Sequence, residues 1–166
     1  MPNWCDNCAT ISNQDKTKID ELEKVLADKD NQQVFQHLRP RPESEEENWY
    51  DWNINNWGTK WDINPHHWER EDDNTIILNF DSAWSPPTAL YEYLDENGWE
   101  VNAYYHEGGM GFCGKFENGQ DDCYDYDMSD RSSIEEIPED IENYAGLLDY
   151  HDECKANGDF DEAEVG

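Results

Sequence analysis

The sequence predicts an α+β domain: an antiparallel sheet in βαββαβ order with its helices on one face. Three observations carry this expectation. Thr75 to Asp81 alternates, with Ile76, Leu78 and Phe80 on one side of a strand. Ile19, Leu22 and Leu26 recur at helical spacing, as do Leu90 and Leu94. Trp99, Val101, Ala103 and Tyr105 alternate along a later strand.

Taken in order, residues 4 to 12 form the first strand, with Ala9 and Ile11 opposite Cys8 and Thr10. A helix follows over 14 to 28. Phe35 to Pro42 reads as extended, because Pro40 and Pro42 exclude a helix interior and a central strand. Glu43 to Glu47 reads as a solvated loop, and Thr59 to Ile63 as the entry to a strand. Glu69 to Asn74 reads as a polar hairpin connection ahead of the strand at 75. Ser85 suits an N-cap, Pro86 a first helical position and Gly98 a left-handed stop. After the strand at 99, Gly108-Gly109 turns the chain, and Met110, Phe112 and Phe116 alternate on the return. Gly111 and Gly114 mark weakness there or the close approach of another group.

Residues 49 to 68 hold five of the eight tryptophans: Trp49, Trp52, Trp57, Trp61 and Trp68. So much indole predicts a core-forming, Trp-rich insertion over 35–68, with Trp57 and Trp61 mostly buried and Trp84 near them. Trp57, Lys60, Trp61 and Trp84 also make a candidate ligand pocket, in which Lys60 meets a phosphate or pairs with Asp62.

The chain has 166 residues, 41 acidic and 11 basic, for a formal charge of −30. A surface of this sign repels nucleic acid directly and favours a basic protein partner; it also serves solubility. Aromatics at 13% exclude a disordered chain. No run approaches membrane-spanning length and no secretory signal opens the sequence, so five cysteines imply reduced thiols and a cytoplasmic setting.

The acidity concentrates late: residues 117 to 166 carry 18 acidic and 2 basic residues. The expected division is therefore a domain at 1–118 and an acidic extension at 119–166. Ile137, Ile141, Tyr144 and Leu148 predict an acidic C-terminal helix over about 138–156, opened by Pro138. Its outer side would present Glu135, Glu136, Glu139, Asp140, Glu142, Asp149, Asp152 and Glu153 as a binding face.

Several segments together carry a resemblance. They are Met1-Pro2-Asn3-Trp4-Cys5 with Asn7, Pro40 and Pro42 after Phe35, and Asn56-Trp57-Gly58-Thr59-Lys60-Trp61-Asp62. Ala83-Trp84-Ser85-Pro86-Pro87 follows, then Tyr105, Glu107, Gly108, Phe112 and Gly114. In this order they resemble the Api92-like family over roughly residues 1 to 118. The resemblance implies a ferredoxin-like domain and an origin on a bacteriophage, plasmid or related mobile element. It implies no activity and no catalytic residues.

Candidate chemistry is sparse. Cys5-x-x-Cys8 has a redox or metal spacing, but in a strand the two thiols point to opposite faces. Cys113 and Cys123 would complete a zinc set only without a second CxxC, so structural thiols are the better reading. His66-His67 beside Asp62 and Glu69, and His106-Glu107 at a hairpin tip, have no paired nucleophile. Asp125, Asp127, Ser129 and Glu136 match calcium-loop positions, but Asp130 stands where the loop needs glycine. The expectation is a non-enzymatic protein with no cofactor, no metal and no catalytic residue. It would be a phage- or mobile-element-encoded acidic protein that engages a host protein, on a basic nucleic-acid-binding surface in the manner of a DNA mimic. The alternative is a small-ligand or nucleotide binder, or an enzyme, using the Trp-rich insertion.

Overall fold

The computed structural model describes residues 3–30 and 33–158. Six strands form one antiparallel sheet in the order β2-β3-β1-β4-β5-β6. The strands are β1 (Trp4–Asn13), β2 (His67–Asp72), β3 (Thr75–Ala83), β4 (Trp99–Glu107), β5 (Phe112–Glu117) and β6 (Gln120–Asp125). The helices are α1 (Lys16–Ala27), α2 (Val34–Leu38), α3 (Trp49–Asn56), α4 (Thr88–Glu96), α5 (Arg131–Glu135), α6 (Glu139–Ala145) and α7 (Leu147–Ala156). The segment β1-α1-β2-β3-α4-β4 is the ferredoxin-like unit, and the β5–β6 hairpin widens its sheet at the β4 edge.

Register follows the pleat. Ile76, Leu78 and Phe80 of β3 join Ala9 and Ile11 of β1, Val101 and Ala103 of β4, Ile19, Leu22 and Leu26 of α1, and Leu90 and Leu94 of α4 in one core. Asp15 caps α1 by accepting from the Thr17 N–H at 3.0 Å. Trp57 closes the core beside Phe35, ring centroids 5.7 Å apart, and its indole N–H donates to the Arg39 carbonyl at 3.0 Å.

Several local expectations give way to tertiary context. Phe35 to Pro42 is not extended throughout, because α2 spans Val34–Leu38 and stops before Arg39, the residue that Pro40 restricts. Asp62 makes this short helix possible: its carboxylate accepts the N–H groups of Phe35 and Gln36 at 2.8 and 3.0 Å, an N-terminal cap supplied by a distant loop. Glu43–Glu45 is a single 3-10 turn rather than an open loop. Thr59 to Ile63 enters no strand; Asp62 holds it in an irregular path.

His67–Asp72, expected as mostly connection, is edge strand β2. Its polar residues face water, and Arg70 reaches α1 to pair with Asp20 at 2.8 Å. Ser85 does not cap α4, which starts at Thr88; the Ser85 hydroxyl donates to the Gly58 carbonyl at 2.7 Å and ties the insertion to the sheet. Met110 lies outside the β5 alternation, 71% exposed in the turn.

The largest difference lies after Glu117. Asn118 and Gly119, both left-handed (φ 54° and 76°), form a two-residue hairpin turn, so the chain returns at once as β6. The helices that follow do not share the face of α1 and α4. Ile134, Ile137, Ile141 and Leu147 pack with Cys113 in a second, smaller core, against the β4–β5 side chains that point away from the first. Helices therefore cover both faces of the sheet at this end. The single helix expected over 138–156 is two helices, broken at Gly146 (φ 66°), a left-handed conformation that glycine adopts without steric cost. Among the described residues no helix is long and apolar enough to cross a membrane.

Candidate functional site

The acidic C-terminal helices are pinned to the sheet by polar contacts as well as apolar ones. The Tyr144 ring stacks on Tyr104 with centroids 5.3 Å apart, and its hydroxyl donates to Asp6 at 2.9 Å. Lys115 bridges Asp140 at 3.1 Å and Glu117 at 2.9 Å, which lifts its pKa above the ordinary lysine range. Asp140 also accepts from the Tyr104 hydroxyl at 3.0 Å. His151 is buried, with Nδ1 2.6 Å from the Met128 carbonyl. Arg131 joins α5 to α7 by pairing with Glu135 and Asp152.

These contacts divide the eight carboxylates expected to form one binding face. Glu142 is turned inward: it is buried, and its carboxylate accepts the Leu148 N–H at 2.8 Å, capping α7 across the Gly146 break. Glu135, Asp140 and Asp152 are spent on Arg131 and Lys115. Glu136, Glu139, Asp149 and Glu153 stay exposed without an ion-pair partner among the described residues. The helical repeat revealed which positions share a face, but not that Gly146 would reorient them.

The tryptophan insertion forms a second site. Gln36, Arg41, Glu46, Trp49, Asn53, Trp57, Trp61 and Asp62 line a cleft of about 380 Å³. Arg41 donates to the Asn53 side-chain oxygen at 2.9 Å and pairs with Glu46 at 3.4 Å. Its guanidinium lies 5.9 Å from the centre of the Trp57 ring, and its Nε is buried without a partner among the described residues. Burial raises the Asp62 pKa above the ordinary carboxylate value, opposed by three backbone N–H donors and by Arg41.

Only Trp57 of the predicted pocket residues is buried. Trp61 is 39% exposed and Trp84 is 61% exposed, so the expected burial of Trp61 does not hold. Trp61 sits at the sheet end beside Trp4, centroids 6.2 Å apart, rather than beneath the insertion. Lys60 does not pair with Asp62; its ammonium lies over Trp61 at 4.4 Å and Tyr50 at 5.8 Å. Trp84 takes a left-handed backbone (φ 73°), costly for a bulky residue, and is held by its N–H donating to the Asn3 carbonyl at 2.8 Å. Arg41 was missed as a pocket residue because its partners come from α3 and the turn before it.

Cys5 and Cys8 lie on opposite faces of β1, and burial raises the Cys5 thiol to about 12. Asp127 and Asp130 serve as local caps for Ser129 and Ser132. Among the described residues no cluster of three His, Cys, Asp or Glu is arranged to hold a metal ion.

The family described as the ferredoxin-like domain in Api92-like protein matches residues 60–150. This chain belongs to that family. The matched region runs from the insertion through β6 to α7, so it takes in residues beyond Glu117. The crystal structure of a protein api92 from Yersinia pseudotuberculosis is also similar, at 21% identity and a TM-score of 0.42. That likeness covers 58% of this Api92-like chain and 40% of the other, so the chain spans less than half of that protein's length. No curated protein matches.

Proposed function

We propose that this Api92-like protein is a binding protein whose partner is a basic protein surface. One observation carries the reading: the chain's arginines are engaged internally while most of its carboxylates are not. All four arginines are engaged, Arg39 over the Tyr93 ring and on the Asn56 carbonyl, and Arg41, Arg70 and Arg131 on carboxylates. Ion pairs among the described residues use seven of the 37 carboxylates that those residues carry. The remaining field attracts a partner of opposite sign and accelerates encounter. The nucleic-acid-binding surface of a host protein has that sign, and occupation of it would inhibit or modulate the host protein. The reading places the protein in the cytoplasm of a host that carries a phage or plasmid.

The test is affinity purification from host lysate at several salt concentrations, with wild type beside E136K/E139K/D149K/E153K. These four positions are outside the ion pairs, so the fold should survive, whereas Asp152→Lys would break the Arg131 bridge. The expected result is capture of basic proteins that salt releases and the variant fails to capture. An unchanged set of captured proteins, or one without basic members, contradicts the reading. A second reading has one specific support, the Nε of Arg41, buried and without a partner among the described residues: a small hydrogen-bond acceptor in the insertion cleft. Arg41→Lys would then abolish retention of a co-purified ligand detected by native mass spectrometry.

A further inference from the structure

The two edges of the sheet are not alike. β2 is interrupted by a register shift between Arg70 and Asp72, which blunts it as a template for another strand. β6 pairs with β5 without interruption, from Glu117↔Gln120 to Phe112↔Asp125, and has no strand on its other side among the described residues. In a two-residue hairpin the closing pair is hydrogen-bonded and the pairs alternate from there. Gln120, Asp122 and Tyr124 therefore turn their backbone groups toward β5. Asp121, Cys123 and Asp125 turn theirs outward.

The same three residues share a side-chain face, that of Tyr105 and Phe112. On that face they border a groove of about 260 Å³, with Ser85, Pro86 and Thr88 on its other side. Its floor is built: a Cβ at Gly114 would collide with the Tyr105 hydroxyl, so glycine lets Tyr105 pass across β5 and donate to Asp121 at 2.6 Å. Asp121 has no cation among the described residues, and burial raises its pKa above the ordinary carboxylate value.

We infer that β6 is a strand-addition site for an extended basic segment of a partner protein. The inference rests on the basic-partner reading and adds a mode of recognition. Outward N–H and C=O groups supply the ladder, and the groove selects the side chains. Residues directly opposite Asp121 and Asp125 would be Lys or Arg. The one between them, opposite Cys123, would be apolar and lie over Tyr105 and Phe112. The recognised pattern is Lys/Arg-x-apolar-x-Lys/Arg, its two cations about 13 Å apart at the strand rise.

The probe is the peptide Thr-Lys-Thr-Val-Thr-Lys-Thr with blocked ends, beside the same peptide N-methylated at both lysines and the valine. Methylation keeps the charges and removes the N–H groups that would pair with β6. Calorimetry should show binding of the first and a loss of about tenfold or more for the second, since each ladder bond contributes modestly and three are lost. Amide exchange should slow at Asp121, Cys123 and Asp125 with the unmodified peptide only. Asp125→Asn should weaken the unmodified peptide without altering the fold. Equal affinity for the two peptides overturns strand addition while leaving a basic partner in place. Binding of neither peptide, with capture of basic proteins from lysate retained, also overturns it and moves the contact to α6 and α7.

Discussion

The two faces of the sheet are built differently. The face under α1 and α4 is a large apolar core with Phe35, Trp57, Phe80 and Phe116 fully buried in it. The opposite face, under α5 to α7, gathers five buried apolar residues in one cluster, with Tyr104, Tyr124, Tyr126, Met128 and Leu148 among those at its margin. There the helices carry many carboxylates, and hydrogen bonds donated by Tyr144, accepted by Glu142 and Asp140, and made by His151 supply what apolar area does not. The contrast shows how a very acidic segment stays ordered: enough apolar residues to dock, and enough polar pins to fix the docking. It also implies unequal stability, because fewer buried contacts mean a lower cost of local opening.

Substitutions that act on one face at a time break or sharpen this comparison. Trp57→Ala should have the largest effect, about 3–5 kcal/mol of global stability, since it empties a fully buried indole site. Denaturant unfolding followed at the sheet would measure it. Ile141→Ala should cost about 2–5 kcal/mol on the other face. That loss should appear first as faster exchange in α5 to α7, with β1 and β3 amides little affected; equal acceleration everywhere would show one cooperative unit.

Gly146→Ala separates backbone from packing. A Cβ there meets no atom within 4 Å, so only the left-handed conformation is penalised, about 1–2 kcal/mol. A much larger loss would mean that the α6–α7 break carries packing as well. Tyr144→Phe keeps the stack on Tyr104 and removes the bond to Asp6, for about 0.5–1.5 kcal/mol by thermal unfolding.

The smallest effect is pH-dependent. Burial lowers the His106 pKa below 6.5, against opposing influence from Asp6 and Glu107, and its Nε2 lies 2.6 Å from the Tyr126 hydroxyl. A depressed histidine contributes stability that is full above its unfolded value and is lost as pH falls through its folded value. The stability gap between wild type and His106→Gln should therefore narrow from about pH 7.5 to about pH 5.5. A gap that widens would mean that His106 is charged in the fold.

Much of the first face was legible. Alternation in β1, β3 and β4 and the repeats at Ile19, Leu22, Leu26 and at Leu90, Leu94 report burial directly, because period and face are linked locally. The insertion was legible as core at Trp57, but not in its path. Asp62 capping α2 and Ser85 bonding Gly58 are long-range contacts without a local signature. β6 had a signal that went unused: Asn118-Gly119 is strong hairpin chemistry, obscured by the change to acidic composition at the same point. The binding face was half legible, since charge and periodicity place carboxylates on a helix but do not reveal which will meet Arg131, Lys115 or the Leu148 N–H.

Amide hydrogen exchange at low and high salt tests most directly whether the acidic helices are a separately opening layer strained by their own charge. Raising salt from about 0.01 to about 1 M shortens the screening length from about 30 to about 3 Å. The predicted result is a gain in protection across α6 and α7 well above that in β1 and β3. Equal gains in the two regions, or α6 and α7 amides already as protected as those of β1 at low salt, would contradict it.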